Sequence, residues 1–397
     1  MANGSRSPDR VAPVVVVCRK LPAPIRGGLD LRLHALIQAL AAHRPVYVVG
    51  LHGSPQDQDP VATYDLVPGA AVPQIDAAQV LRSTLDGDLA RHFASASGRL
   101  ASRVAEVVRE TGADTVILSR LEMAGLGYAL ADESRARVIL DLDEAEGPLA
   151  ASMADLAEGH GHRLLLKRYA RELTQVEAVT LFSFPGAIWV STAIEADNVR
   201  LVNAEADVRV VPNCLDVDSY SRPALAHSER MTWLFPARFD YLPNQDAARQ
   251  LLDALPRPGF RETLVLAGSR MPDWLRGIDL PGVAVVDTPV DVRPLLWEAT
   301  ALIAPLRSGG GSRMKILEAM AARTPVIATQ VGAGGLNARV DEHFFPWEEG
   351  VALAEVIDGL VNDPGRSCEV ADAAHSWVAS RHSLAVLREL LADLLVA

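Results

Sequence analysis

The chain has 397 residues, of which 49% are hydrophobic and 22% are charged. At ~150 residues per domain, this length indicates two or three domains. The composition is typical of a folded globular protein and excludes an intrinsically disordered one. The 38 basic and 50 acidic residues give a net charge of −12, which argues against general nucleic-acid binding.

The N-terminal region and the cysteines indicate the cellular setting. No run of about 18 apolar residues occurs, so we expect no transmembrane segment. The apolar stretch Val11–Cys18 is short, meets Arg19-Lys20 and lacks a small-residue cleavage site, so we expect a cytoplasmic protein. The three cysteines are far apart and odd in number, which argues against a disulfide framework or a cysteine metal site.

Short β-branched runs alternate with helical stretches along the chain. In the first half, strands are expected at Val14–Cys18, Val46–Val49, Thr115–Leu118, Val138–Leu140 and Ile188–Val190, with helices at Leu29–Ala42, Asp88–Glu110 and Leu164–Thr180. In the second half, strands are expected at Val208–Val211, Thr232–Phe235, Leu264–Ala267, Val283–Val286, Ala301–Ala304 and Val326–Ala328, with helices at Gln245–Leu255, Val292–Glu298 and Arg313–Ala322. This alternation predicts parallel sheets with helices on both faces. Roughly eleven strands exceed one comfortable sheet, so we expect two such domains.

The domain boundary is expected near residues 195–212. Residues 1–200 would form one domain and residues 205–370 the other, with Val208–Val211 opening the second half. Residues 371–397 would form a helical tail. Its leucines follow the spacing of one helix face, which another element must cover, and the first domain could provide that cover.

A glycine-rich loop joins an expected strand to an expected helix in the segment 304–321. The loop contains Gly309, Gly310 and Gly311, and Ser312 is the expected N-cap of the helix. Glycines let a bulky anion approach the backbone, and a helix N-terminus offers free N–H groups and a partial positive charge. The loop therefore predicts a phosphate site.

The first turn of that helix carries cations where acids are usual. Arg313 and Lys315 flank Met314 there, and Arg307 comes just before the glycines. Stacked cations at a positive helix end are explained by a multiply charged anion such as a diphosphate. Glu318, one turn further, could accept hydrogen bonds from the two hydroxyls of a ribose. The alternative is an ordinary surface pair between Lys315 and Glu318.

Two further loops are candidates for the same ligand. Arg238 ends an expected strand and could clamp a diphosphate, or it could pair with Asp240 on the surface. Asn244 could cap the helix that follows. Gly27 and Gly28 join the first strand to its helix, where they form either a tight turn or a second backbone approach to the ligand. They do not form the Gly-x-Gly-x-x-Gly of dinucleotide enzymes.

Together these segments resemble the retaining glycosyltransferases of family 4, which have the GT-B fold: α/β, with two facing Rossmann-like domains and a cleft between them. The segment Val211-Pro-Asn-Cys-Leu-Asp216 is similar to that family's Val-Pro-Asn-Gly-Val-Asp. The segments 235–247 and 304–325 are similar to a subgroup involved in polysaccharide and cell-surface sugar assembly. The resemblance implies transfer of a sugar from a nucleotide-diphosphate sugar to an acceptor hydroxyl, with the donor bound by the second domain.

The resemblance also implies roles for single residues. Arg238 matches the diphosphate-binding Arg, and Glu318 matches the second Glu of Glu-x7-Glu, which holds the ribose. Gly27 and Gly28 match the N-terminal donor loop. The base is expected to dock mainly against backbone. The regions expected to form its site include Gly268, Ser269 and Val290.

The chain departs from the family pattern at three places, the first of which is the first-domain His that many relatives use at the sugar: here Ser119-Arg120 follows the corresponding strand. Gly310 stands where the first Glu of Glu-x7-Glu is expected, so no side-chain carboxylate is available at that position. Pro243-Asn244 replaces the usual diphosphate Lys, and Lys315 or Arg313 could supply that charge. We expect Arg238, Lys315 and Glu318 to be the catalytic residues.

The acceptor side is assigned from acids that follow the strand Val138–Leu140. Asp143, Glu144 and Glu146, with Arg120 from the neighbouring strand end, are expected to face the acceptor. Asp141 and Asp143 also form an Asp-x-Asp, which in another glycosyltransferase fold holds Mn²⁺, while the ordinary reading is helix capping.

We therefore expect a metal-independent glycosyltransferase with no cofactor beyond its nucleotide-sugar co-substrate. The acceptor would be a small molecule, a glycan or a lipid-linked sugar, and the location cytoplasmic or peripheral at the inner membrane face. The alternatives are a nucleotide-sugar-binding protein without transferase activity, which Gly310 would suit, and a nucleotide-sugar epimerase on the same fold. A dehydrogenase is disfavoured by the missing glycine fingerprint.

Overall fold

The computed structural model describes residues 11–67, 70, 98–223, 231–255, 262–310, 313–347 and 351–396. Among these residues, the chain forms two parallel sheets that belong to two α/β domains, as the alternating pattern predicts. No helix in the described ranges is both long enough and apolar enough to cross a membrane. The part of the expected helix Asp88–Glu110 that precedes Gly98 lies outside the described residues.

The first domain is built on a seven-stranded parallel sheet in the order β3-β2-β1-β4-β5-β6-β7. Its strands are β1 (Val14–Lys20), β2 (Val46–His52), β3 (Thr63–Leu66), β4 (Thr115–Ser119), β5 (Arg137–Asp143), β6 (Ala187–Val190) and β7 (Val208–Val210). Its helices are α1 (Gly28–Ala41), α2 (Gly98–Thr111), α3 (Ala124–Glu133), α4 (Glu146–Leu156), α5 (His160–Ser183) and α6 (Ala193–Val202). In β1, Val15 and Val17 pack into one apolar cluster and Val14 and Val16 into another, so the sheet is covered on both faces.

The second domain is built on a six-stranded sheet in the order β10-β9-β8-β11-β12-β13. Its strands are β8 (Thr232–Arg238), β9 (Thr263–Ser269), β10 (Val283–Asp287), β11 (Ala301–Ala304), β12 (Val326–Ala328) and β13 (Phe345–Pro346). The helices after β8 are α7 (Leu242–Ala254), α8 (Asp273–Arg276), α9 (Arg293–Glu298), α10 (Met314–Ala321), α11 (Leu353–Asn362), α12 (Pro364–Arg381) and α13 (Leu384–Val396).

The last helix packs on the first domain. Leu384, Leu387 and Leu391 of α13 are buried in the apolar cluster that also contains Leu36 and Leu40 of α1. The backbone supports this return, because Leu215 donates a hydrogen bond to the His382 carbonyl at 2.9 Å. The chain therefore crosses between the domains twice, at residues 211–215 and again at residues 382–384.

The sequence pattern misplaced one strand and missed two others. Val208–Val211 was expected to open the second half, but β7 pairs with β6 and completes the first sheet. The short strands β3 and β13 pair at sheet edges and carry little apolar periodicity.

Candidate active site in the interdomain cleft

The glycine-rich loop and α10 form the second-domain wall of the cleft. Arg313 has non-helical dihedral angles, φ −82° and ψ 89°, and is the N-cap residue of α10. The predicted cap at Ser312 is therefore wrong by one position. Gly311 and Ser312 themselves lie outside the described residues.

The Arg313 guanidinium folds back over the loop. It donates to the Gly310 carbonyl and, at 3.3 Å, to the Val331 carbonyl, while its Nε is buried with no hydrogen-bond partner among the described residues. Burial lowers the pKa of Arg313. Gly309 has φ 137°, a backbone conformation that favours glycine, and a Cβ there would lie 2.9 Å from the guanidinium nitrogens.

Lys315 points from α10 toward α7. Its Nζ donates to Asn244 Oδ1 at 3.0 Å and lies 4.1 Å from the centroid of the Phe235 ring. Burial, followed by repulsion from Arg313, lowers the pKa of Lys315 to about 7. Asn244 is not the helix cap that the sequence suggested. Its side chain donates to the Arg238 carbonyl at 2.8 Å, and the N-cap position is occupied by Tyr241.

Glu318 lies one turn further along α10, half-buried beneath the same cleft. Its Oε1 accepts a hydrogen bond from the Tyr220 hydroxyl at 2.9 Å. Burial raises the pKa of Glu318 to about 7, against the opposing effects of the Tyr220 hydrogen bond and Lys315. Lys315 and Glu318 thus bond to different neighbours and do not act as a simple surface pair.

Sequence reasoning missed Tyr220. It lies in a short 3-10 turn, Val217–Tyr220, and its carbonyl accepts from Trp297 Nε1 at 2.8 Å. The only available signal was its position four residues after Asp216, at the end of the segment that resembles the family. The residue it contacts is 98 positions away, which local patterns do not report.

Arg238 ends β8 at the edge of the cleft. Its guanidinium makes two hydrogen bonds to Asp240, of 2.6 and 2.7 Å, and 58% of its side chain is exposed. These hydrogen bonds are the main reason that the pKa of Arg238 is raised. The pairing considered as the alternative is therefore present. It occupies one edge of the guanidinium, formed by Nε and Nη2, which is an edge that a diphosphate could also use.

The first-domain glycine loop faces α10 directly. A Cβ on Gly28 would lie 3.1 Å from Met314 Cγ, so the loop and the helix start are in contact across the cleft. Gly27 is the extended N-cap residue of α1, with nothing within 4 Å of its Cβ position. The end of β9 in the second domain also reaches this loop, since Ser269 Oγ lies 3.5 Å from the Arg26 carbonyl.

Two predicted base-site residues differ in their setting. Gly268 has φ 149°, and a Cβ there would overlap the Ala237 carbonyl oxygen, so this glycine is required for the packing of β9 on β8. Val290 is fully exposed beyond the end of β10. It lies in a loop that an incoming ligand could cover.

The predicted acceptor-side acids separate into a buried group and a cleft group. Asp141 is buried in an ion pair with Arg32, whose Nε lies 3.1 Å from Asp141 Oδ2, so it does not face a substrate or cap a helix. Asp143 is also buried, between Arg120 at 3.5 Å and Arg32 at 3.8 Å. Glu146 pairs with Arg120 at 3.0 Å, whereas Glu144 extends into the cleft.

Glu144 reaches the second domain at Gly310. A Cβ on Gly310 would lie only 2.8 Å from Glu144 Oε2. A carboxylate is therefore present beside position 310, although it comes from the other domain. The cleft consequently combines cations at a helix N-terminus with one carboxylate from each domain, which suits a ligand that carries both a diphosphate and hydroxyl groups.

The comparisons with known proteins agree with this architecture. Residues 230–363 match the family model described as glycosyl transferases group 1. No curated protein sequence matches the chain.

Three solved structures illustrate the similarity. Sucrose-phosphate synthase from Thermosynechococcus elongatus is 16% identical, with a TM-score of 0.73 over 97% of this chain and 98% of that one. HepE from Anabaena, in complex with UDP-glucose, is 14% identical, with a TM-score of 0.71 over 97% and 99% of the two chains. A glycosyltransferase from Rickettsia africae is 14% identical, with a TM-score of 0.66 over 97% and 98%. The chain thus has the GT-B fold of two facing Rossmann-like domains, and its second domain matches the group 1 glycosyl transferases over residues 230–363.

Proposed function

We propose that the chain is a retaining glycosyltransferase that moves a sugar from a nucleotide-diphosphate sugar to an acceptor hydroxyl. One observation carries the proposal: Lys315 and Glu318 lie on the first two turns of α10, directly opposite the Gly28 loop of the other domain. Burial lowers the pKa of Lys315 and raises the pKa of Glu318, which means that it disfavours the charged form of each side chain. A ligand that presents a diphosphate to Lys315 and hydroxyl groups to Glu318 would favour both charged forms, and such shifted pKa values are typical of functional sites.

The donor would bind along α10. The diphosphate lies against the helix N-terminus, where Lys315 and Arg238 contact it, and Arg238 exchanges Asp240 for phosphate oxygens. The ribose hydroxyls donate to Glu318. The base lies toward Gly268, Ser269 and the loop of Val290. Because the similar HepE structure contains UDP-glucose, UDP is the first nucleotide to test.

The chemistry we propose is mainly electrostatic. As the bond from the anomeric carbon to the diphosphate breaks, negative charge grows on the leaving oxygen, and Lys315, Arg238 and the N–H groups of α10 stabilise it. The acceptor oxygen bonds to the anomeric carbon on the same face and loses its proton to the departing phosphate. The configuration is retained, and the cations that stabilise the leaving group belong to the chain itself, so we propose that no metal or further cofactor takes part.

Titration calorimetry of UDP, GDP, TDP and ADP into the wild type and Glu318→Ala tests the proposed donor site. We expect one nucleotide to bind clearly, and we expect Glu318→Ala to weaken it by about tenfold, as for a lost hydrogen bond to a charged group. Glu342→Ala, which removes a half-buried carboxylate paired with Arg339, is the matched control. If no nucleotide binds, the donor site is wrong.

Product analysis then separates transfer from its alternatives. A transferase gives a glycosylated acceptor only when an acceptor is present, whereas an epimerase converts the nucleotide sugar alone. A binding protein without transferase activity gives neither product. Free nucleotide without a glycosylated acceptor would show hydrolysis and contradict the proposed transfer.

We further propose a cytoplasmic protein that associates peripherally with an anionic membrane and takes its acceptor there. The support is the first half of α5, where Leu164 and Leu165 are exposed by 62% and 37%. Three cations, Arg163, Lys167 and Arg168, are exposed beside them. Exposed apolar side chains among basic ones are typical of helices that lie on anionic lipid.

A further inference from the structure

Glu144 and Gly310 come from different domains and share one small volume. A Cβ on Gly310 would lie 2.8 Å from Glu144 Oε2 and 3.7 Å from its Cδ. No side chain at position 310 fits unless the carboxylate moves. The glycine at position 310 therefore leaves space for the Glu144 carboxylate, and its φ is not in the left-handed region.

The end of β5 directs Glu144 into the cleft. The pairing of β5 with β6 shifts register between Asp141 and Asp143, and Asp143 has φ 67°, which is unusual for a residue other than glycine. The kink leaves Asp143 in the buried ion-pair group and turns the next residue outward. Such backbone strain is retained where the surrounding structure requires it.

The Glu144 carboxylate has acceptor capacity to spare. Its Oε1 lies 3.7 Å from Arg120 Nη1, which is beyond hydrogen-bond distance, and 18% of the side chain is exposed to the cleft. Burial raises the pKa of Glu144 to about 7, while Arg120 and Arg313 oppose that shift. A ligand that donates hydrogen bonds to both oxygens would favour the charged form further.

The positions along α10 and its loop indicate which part of the donor meets Glu144. Under the proposed function, on which this inference rests, the ribose lies at Glu318 and the diphosphate at the first helical turn around Lys315. The group on the far side of the diphosphate must then extend back past the helix start, toward Gly310. That group is the sugar to be transferred.

We propose that Glu144 binds the transferred sugar by accepting hydrogen bonds from its hydroxyls, and that Gly310 is a glycine because it makes room for this carboxylate. The substrate class is then a donor whose sugar carries free hydroxyls on adjacent carbons, since one carboxylate accepts from two neighbouring hydroxyls. This replaces the expectation that Glu144 faces the acceptor. It also makes the donor a ligand of both domains, bound completely only when the cleft is closed.

The decisive comparison is between a nucleotide and its sugar conjugate. We would titrate UDP and UDP-glucose, then GDP and GDP-mannose, into the wild type, Glu144→Gln and the control Glu122→Gln. Glu122 is a half-buried carboxylate that is paired with Arg19 at 3.1 Å. We expect Glu144→Gln to lower the affinity for the nucleotide sugar by about tenfold and to leave the affinity for the nucleoside diphosphate unchanged. We expect Glu122→Gln to change neither.

A relocation of the carboxylate tests the role of Gly310. Gly310→Ala should reproduce the selective loss of nucleotide-sugar affinity, because its methyl group displaces Glu144. The double variant Glu144→Ala/Gly310→Glu should recover part of the affinity that Glu144→Ala loses. If Gly310→Ala also loses affinity for the diphosphate alone, the loop itself has changed, and the selectivity of Glu144→Gln then decides the question.

The outcomes separate this inference from the proposed function. Failure of the wild type to bind every nucleotide and nucleotide sugar overturns both. If the wild type binds and transfers sugar but Glu144→Gln keeps full affinity for the nucleotide sugar, only this inference is overturned. A Glu144→Gln variant that raises the KM for the acceptor, with donor affinity unchanged, would return Glu144 to the acceptor side.

Discussion

Lys315 Nζ donates a hydrogen bond to Asn244 Oδ1 at 3.0 Å and thereby links α10 to the first turn of α7. Asn244 in turn donates to the Arg238 carbonyl at 2.8 Å. The side chain of Lys315 therefore ends beside positions 243–244, where the family pattern has its diphosphate lysine and this chain has Pro243-Asn244. The relationship favours Lys315 over Arg313 as the source of the missing charge, because Arg313 already donates to two carbonyls.

The first prediction concerns the loss of each cation. Lys315→Met should lower the affinity for the nucleoside diphosphate by about tenfold or more, since a hydrogen bond to a charged group contributes about 1.5–3 kcal/mol. Arg313→Met should have a smaller effect. Titration calorimetry measures both, and Arg339→Met, at an exposed position, is the control. Unchanged affinity in both variants would rule out either residue as the replacement.

The second prediction follows from the pKa of Lys315, which burial lowers to about 7. Above pH 7 the free protein carries a largely neutral Lys315, whereas a bound diphosphate favours the ammonium and raises the pKa. Binding at pH 8 should therefore take up a proton, and affinity should fall as pH rises above 7, by at most tenfold per pH unit. Glu318, whose pKa is about 7, is mostly ionised at pH 8, so its own titration contributes less there.

Calorimetry at pH 8 in two buffers with different ionisation enthalpies measures this proton uptake. In Lys315→Met the buffer dependence should disappear. The same uptake in that variant would assign the proton to another group.

The third prediction concerns Arg238, which would release Asp240 to bind a diphosphate through its Nε and Nη2. The pair is more than half exposed on the Arg side and is worth at most about 1 kcal/mol. Asp240→Asn should therefore raise donor affinity slightly, by about fivefold or less. Arg238→Ala should lower it by about tenfold or more. If Asp240→Asn lowers affinity instead, Asp240 helps to orient the guanidinium and does not compete with the ligand.

Much of the α10 wall could be predicted from sequence because its signals are local. The strand, the glycines, the cations and the helix follow one another within 304–321, and each has a physical meaning at its own position. The buried strands were likewise readable from continuous β-branched runs such as Val14–Val17. The sequence could not predict which sheet β7 joins, because β7 has only three residues and its place depends on pairing with β6.

The contacts that complete the site could not be predicted in the same way. Lys315 meets Asn244 from 71 positions away, and Tyr220 meets Glu318 from 98 positions away. Glu144 and Gly310 come from different domains. The position of Glu144 depends on a kink in β5 and on the way the two domains face each other. Neither can be read from the residues that neighbour Glu144 in the sequence.

The fourth prediction tests membrane association through α5. The double variant Leu164→Ser/Arg168→Glu should lower binding to phosphatidylglycerol vesicles by about thirtyfold or more. The variant removes one exposed apolar side chain and replaces one basic charge by an acidic one. Each basic charge contributes about 1 kcal/mol to binding near an anionic surface. Flotation with phosphatidylglycerol and phosphatidylcholine vesicles measures the effect. Leu201→Ser removes a leucine that is 87% exposed on α6 and is the control. Equal flotation of wild type and double variant would contradict the proposal.

The last prediction distinguishes the structural role of Asp141 from the metal-binding role that an Asp-x-Asp can have. Arg32 is 4% exposed and bonds to Asp141, to Asn213 Oδ1 at 2.9 Å and to the Val211 carbonyl at 3.0 Å, so it ties α1 and β5 to the crossover between the domains. Asp141→Ala would leave this cation buried without its main partner and should lower the free energy of unfolding by about 3–5 kcal/mol.

Urea denaturation measures that loss, with Asp155→Ala, which breaks the surface pair to Lys167, as a control expected to cost about 1 kcal/mol or less. Arg32→Met/Asp141→Leu should recover most of the stability, because an apolar pair removes both buried charges together. A metal ligand would behave differently: Asp141→Ala would then lose activity at nearly unchanged stability, and the activity of the wild type would depend on added Mn²⁺. Because Arg32 bonds to Asp141 with its Nε while its Nη1 bonds to Asn213, we expect the stability loss.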